Sequence, residues 1–151
     1  MGLIELLVAI AIIGLVLTSL AGLGNFILKI NQQNKKSVIA TFLAQEAIEA
    51  VRAAKEENWS LITGLTADAP YYPAKIGSPL KWVLTAGTET INSFTRQIAV
   101  SPVYRDVNDD IVTSGGVLDP ETKKITATVS WNDNGRNYQT AIVYYLANWQ
   151  P

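Results

Sequence analysis

The sequence predicts an α+β fold in which one long N-terminal helix is followed by an antiparallel β-sheet that leans on it. Three observations lead there. The chain opens with an uncharged apolar run from Leu6 to Gly24. No Pro or Gly then interrupts Lys29 through Asn58, where Ala, Leu, Glu and Lys dominate. From Lys81 onward the pattern changes to period-two alternation broken by turn formers. The chain is accordingly read as an apolar helix half (1–28), an amphipathic helix half (29–59), a connecting loop (60–80) and a β-sheet head (81–151).

Totals restrict the chemistry before any element is placed. At 151 residues the chain can hold one domain, or a small domain with a long appendage. Net charge is −1, and no basic stripe with interleaved aromatics is present, so nothing points to nucleic acid. There is no Cys and no His. A Ser-His-Asp or Cys-His nucleophile, a thiolate zinc site, an imidazole base and a disulfide are therefore all excluded. The expectation is a protein that is not an enzyme and needs no cofactor.

In the first segment Glu5 is the only charged side chain before Lys29. At about 1.5 Å of rise per residue the apolar run is long enough to cross a ~30 Å hydrocarbon layer. A plain membrane anchor fits. A secretory signal peptide, for which Ser19-Leu20-Ala21 offers small residues, lacks the basic segment such peptides need before the apolar run. Lys29, Lys35 and Lys36 follow the span and no basic residue precedes it, which by the positive-inside rule would leave the polar part in the cytoplasm. A short basic leader removed ahead of Met1 resolves the conflict, so Met1 is expected to be a processed N-terminus. A lone carboxylate beside an apolar helix costs a few kcal/mol unless it is paired, protonated or at the interface. For Glu5 the natural partner is a free α-amino group, either that of Met1 in the same chain or that of a neighbour. Gly14, Gly22 and Gly24 each weaken a helix by about 1 kcal/mol relative to Ala. They suit either a locally unwound stretch or close packing between helices.

In the second segment Ile39, Phe42, Leu43, Ala47, Ala50 and Ala54 share one stripe, and Ala44, Ile48 and Val51 form a second apolar patch. Glu49, Arg52 and Glu56 lie between them at pairing distance along the helix. Two apolar sides imply two partners, the chain's own sheet and another subunit.

Gly64, Pro70, Pro73, Gly77 and Pro79 mark the third segment as loop, with Tyr71 and Tyr72 at its middle. In the fourth, 81–85, 91–100 and 123–131 read as strands. Ile125, Ala127, Val129 and Trp131 alternate with Thr126, Thr128 and Ser130, and Asn132-Asp133-Asn134-Gly135 predicts a hairpin to 136–146. Asp106, Asn108 and Asp110 match the opening of a calcium loop, but Ile111 stands where Gly is required and Val117 where a bidentate Glu belongs, so a solvated acidic loop is expected. Trp82, Trp131, Trp149 and Tyr144-Tyr145 are read as core or subunit contacts in preference to a ligand surface.

The stretch Met1-Gly2-Leu3-Ile4-Glu5-Leu6-Leu7-Val8-Ala9-Ile10 resembles the class III signal sequence of type IV pilins and their secretion-system relatives. AQEAIEAVRAAKEENW, further along, is similar to the helix end of pilins from some cysteine-poor bacterial lineages. The resemblance implies a helix-plus-sheet pilin fold and cleavage before Met1 by a prepilin peptidase, with methylation of the new N-terminus. It also implies that Glu5 pairs with the N-terminal amine of a neighbouring subunit during assembly. Two departures stand out: Gly2 lacks the hydroxyl of the Thr often found second, and no Pro precedes Pro70 where many pilins carry one near position 22. The implied partners are further copies of the chain, the inner-membrane assembly machinery with its ATPase, and the membrane before assembly. The implied location is the cytoplasmic membrane and then a surface filament serving adhesion or twitching motility. A pseudopilin of a secretion or DNA-uptake system, a minor pilin, and a single-pass anchored ligand-binding domain are the alternatives.

Overall fold

A computed structural model describes residues 2–149. Its elements in order are α1 (Leu3–Glu57), α2 (Ser60–Thr63), β1 (Tyr71–Ile76), β2 (Lys81–Ala86), β3 (Glu89–Ile91), β4 (Phe94–Arg105), β5 (Ile111–Val112), β6 (Val117–Asp133) and β7 (Arg136–Ala147). The architecture is the expected α+β one. Two compact units divide the chain, Met1–Lys36 and Ser37–Pro151, and α1 contributes to both.

In the first unit α1 is long and apolar enough to cross a membrane. Every residue from Gly2 to Gln32 is exposed, Leu, Ile, Val and Phe included. A side chain of this size gains about 1.5–3 kcal/mol when it is fully removed from water. None of that gain is realised within residues 2–32.

In the second unit the remainder of α1 lies on the sheet through small side chains. Ala40, Ala44, Ala47, Ile48, Ala50, Val51 and Ala54 are buried there, and five alanines on one face let the helix axis approach the strands closely. The two apolar patches read from the sequence do not stay separate. Ala47, Ala50 and Ala54 of the first join Ala44, Ile48 and Val51 of the second in one buried arc, whereas Ile39 and Phe42 remain exposed. The stripe is wider than the arc that one sheet can cover, and its outer margin is left in solvent.

The sheet is antiparallel, in the order β2-β1-β4-β6-β7, with β3 and β5 also pairing with β4. Its inner face supplies Phe94, Ile98, Val100, Ile125, Ala127, Val129, Trp131 and Leu146 to the core. The alternation read over 125–131 therefore falls with its apolar set inward. The β6–β7 hairpin closes at Asp133↔Arg136 on Asn134 and Gly135, whose φ of 50° and 79° make the two-residue turn that matches strand twist.

Residues 60–80 are not a continuous loop. Ile62 of α2 is fully buried in the core, and β1 forms between Pro70 and Gly77 with Tyr71 and Pro73 inward. Turn formers there bracket a strand and do not replace it. Pro73 is tolerated because β1 meets β4 only at Tyr71, so most of one edge of β1 needs no N–H donors. The strand expected over 91–100 is split by a turn at Asn92 (φ 55°) into β3 and β4. β6 starts at Val117, ahead of the expected 123, across a register shift opposite Pro102/Val103.

Candidate functional site

The candidate site is the first turn of α1. The carbonyl of Gly2 accepts the N–H of Glu5 at 3.0 Å, and the Gly2 N–H donates back to the Glu5 carboxylate at 3.3 Å. This reciprocal pair is half of a capping box, and it places a negative charge at the positive end of the helix dipole. Glu5 is exposed and sits one turn from the chain start. Met1, the expected processed residue, lies outside the described residues.

Beyond that turn the helix hides its own polar groups. Thr18 Oγ1 donates to the carbonyls of Gly14 and Leu15, both at 3.0 Å, and Ser19 Oγ donates to Leu15 at 2.9 Å. Hydroxyls satisfied within their own helix present no unmet donor to an apolar surrounding. The helix runs unbroken through Gly14, Gly22 and Gly24, and a Cβ at any of them would meet no atom within 4 Å. The described helix has no locally unwound stretch between Gly14 and Gly24.

The head carries a buried charge that sequence reasoning missed. Arg96 is only 3 % exposed, on the inner face of β4 between Phe94 and Ile98. Its guanidinium donates to Glu46 of α1 at 2.8 Å, to the Leu43 carbonyl at 3.2 Å, and to Glu89 of β3 at 2.5 and 3.1 Å. One side chain thus ties the helix, β3 and β4 together. The available signal was Arg96 itself, a charge at an inward position of an alternating strand.

Of the calcium-like residues, Asp106 has its carboxylate occupied by its own loop. The Asp106 carboxylate accepts the N–H groups of Asn108 and Asp110 at 2.8 and 3.0 Å, an Asx arrangement. Next to it Arg105 bonds Asp119 at 2.7 Å and the Asp109 carbonyl at 2.8 Å. The Arg105 hydrogen bond, helped by the Thr122 hydroxyl, holds the Asp119 carboxyl below its ordinary range. Among the described residues no group of three or more acidic side chains is placed to hold a metal.

The aromatic residues divide. Trp131 is core, packed on Phe94 and stacked with Tyr138 at 5.8 Å, and Lys75 lies over the half-buried Trp82. Tyr144, Tyr145 and Trp149 are exposed. Two open depressions of about 500 Å³ are present. One lies beside Lys55 and Trp149, and the other beside Ser130 and Asn137. Glu56 and Glu57 also line the first, and Ser93, Thr95 and Tyr138 the second. No family model, curated protein or solved structure matches the chain.

Proposed function

We propose that this chain is a structural subunit, the major pilin, of a type IV pilus-like filament, and that it works by assembly and not by catalysis. One observation carries the reading. The first half of α1 is exposed on every side, uncharged except for Glu5, and satisfies its own hydroxyls. Such a surface is stable only against lipid or against other helices. The cytoplasmic membrane fills that role before assembly, and neighbouring α1 helices replace lipid in the filament, where small residues such as Gly14 allow close approach.

Glu5 supplies the register of that exchange. Its 3.3 Å bond to the Gly2 N–H is long and weak, whereas a neighbour's N-terminal amine offers a charge-assisted bond in an apolar setting. The resemblance adds the machinery: a prepilin peptidase, an assembly ATPase, and an extracellular filament used in adhesion or twitching motility.

Electron microscopy of filaments sheared from cells, with N-terminal mass analysis of the same material, tests the reading. Long filaments built of this chain with a methylated Met1 are expected. Short filaments would favour the pseudopilin alternative, and monomers or membrane-bound chains beginning with a leader would favour the anchored domain or an unprocessed pseudopilin. Glu5→Gln is expected to lower filament yield at least tenfold, for a charge-assisted bond of roughly 1.5–3 kcal/mol, while the head stays folded. Normal filaments from that variant would remove Glu5 from the mechanism.

A further inference from the structure

The two edges of the sheet are treated differently. β2 is short, carries Lys81 at its start and follows Pro79, the devices that blunt an edge against pairing. β7 is twelve residues long and runs along β6 without a bulge, from Thr122↔Ala147 to Asp133↔Arg136. It contains no Pro and no Lys, and no charged side chain lies between Asn137 and Ala147.

Its hydrogen-bonding pattern follows from the turn. A two-residue hairpin closes on a hydrogen-bonded pair, so Arg136, Tyr138, Thr140, Ile142, Tyr144 and Leu146 point their backbone groups at β6. Asn137, Gln139, Ala141, Val143, Tyr145 and Ala147 point theirs outward. Among the described residues no other part of the chain bonds to those outward groups.

From this geometry we infer that β7 is a pairing edge for a second copy of the chain, β7 against β7 and antiparallel. The occupant must be an extended strand, because the unmet groups are a ladder of backbone donors and acceptors. A second copy fits because the edge is self-complementary. Full-length pairing sets Asn137 opposite Ala147, Gln139 opposite Tyr145 and Ala141 opposite Val143, with no like charges opposed. Val143 and Tyr145, half exposed in the single chain, gain a cross-strand neighbour. The contact is isologous, so a two-fold axis relates the copies. The axis stands perpendicular to the sheet and reverses residues 40–54 of α1 between the copies. The pair is therefore a state of the chain outside the filament, whose neighbouring α1 helices share one direction, and it does not rest on the assembly reading of residues 2–32.

Hydrogen exchange of the full chain in neutral detergent micelles, followed at single amides, tests the inference. In the paired state the outward amides of Gln139, Ala141, Val143 and Tyr145 should exchange at least tenfold more slowly, roughly, as protein concentration rises. Those of Thr140 and Ile142 should be slow throughout. Ala141→Pro deletes an outward N–H that β6 does not use. With it, the outward amides at 139 and 143 should stay fast at every concentration. Val143→Lys, which keeps every backbone donor but adds an edge charge, should behave alike at 139 and 141. Fast outward exchange at every concentration of the pure wild-type chain would overturn the pairing with a second copy, whether the edge is bare or takes a strand of another sequence. Slow outward exchange that survives in both variants would overturn it too.

Discussion

The two halves of α1 are both rich in apolar residues, yet one buries none of them and the other buries a full face. The difference lies in side-chain size and arrangement. Residues 3–28 place Leu, Ile and Val around the whole circumference, and no face is set apart from the others. Residues 40–54 gather Ala40, Ala44, Ala47, Ala50 and Ala54 with Ile48 and Val51 on one arc, keep Glu46 at its margin where it meets Arg96, and turn Glu49 and Arg52 away from it. Apolar content alone therefore does not decide burial. A one-sided pattern of small residues makes a helix that closes a core, whereas an all-round pattern of large ones makes a helix that needs lipid or other helices as its solvent.

That contrast can be broken most strongly in the core. Ile125→Ala, at a position that is fully buried, should cost about 2–5 kcal/mol in thermal or denaturant unfolding of the head. Leu15→Ala, at a position 69 % exposed, should stay within about 0.5 kcal/mol in the same assay. Equal losses at the two sites would mean that residues 3–28 are packed in a way the single chain does not show.

The buried charge is the next largest lever. Glu46→Gln with Glu89→Gln leaves Arg96 inside the core without a countercharge. A loss of about 3 kcal/mol is expected, at the low end for a broken buried pair because Glu46 and Glu89 are 48 % and 31 % exposed. An unchanged unfolding midpoint would show that water reaches the guanidinium. Ala47→Leu then tests the alanine arc directly: overpacking against the sheet should cost about 1–3 kcal/mol, while Ala21→Leu in the exposed half should leave head stability unchanged.

The smallest effect lies at Asp119. Its carboxyl is held low chiefly by the Arg105 hydrogen bond, so the folded value lies below the ordinary 3.8. Its contribution is therefore complete above that ordinary value and is lost as pH falls through the lowered one. Asp119→Asn should cost less than about 1 kcal/mol near neutral pH, because the pair is partly solvated. It should also flatten the acid end of the stability profile, measured by denaturant midpoint against pH.

Much of the head could be read from the sequence because its signals are local. The alternation at 125–131 and the Asn134-Gly135 turn each depend on residues within a few positions, and both hold in the sheet. β1 was missed because the prolines and glycines around it are local signals too, and only long-range pairing with β2 shows that they frame a strand. Arg96 was missed for a related reason. A charge inside a strand is satisfied by Glu46, fifty residues earlier in the chain, and no spacing rule connects them.

By itself the sequence determined the α+β class, the two helix halves read over 1–28 and 29–59, the apolar first half with its single carboxylate at Glu5, and the β6–β7 hairpin. These follow from periodicity, charge placement and turn chemistry, all set within one or two turns or strands. Only the tertiary structure decided which part of the wide helical stripe meets the sheet, what neutralises Arg96, and which sheet edge is left open. Those outcomes depend on distant segments competing for the same surface, and burial and hydrogen bonding are settled by that competition.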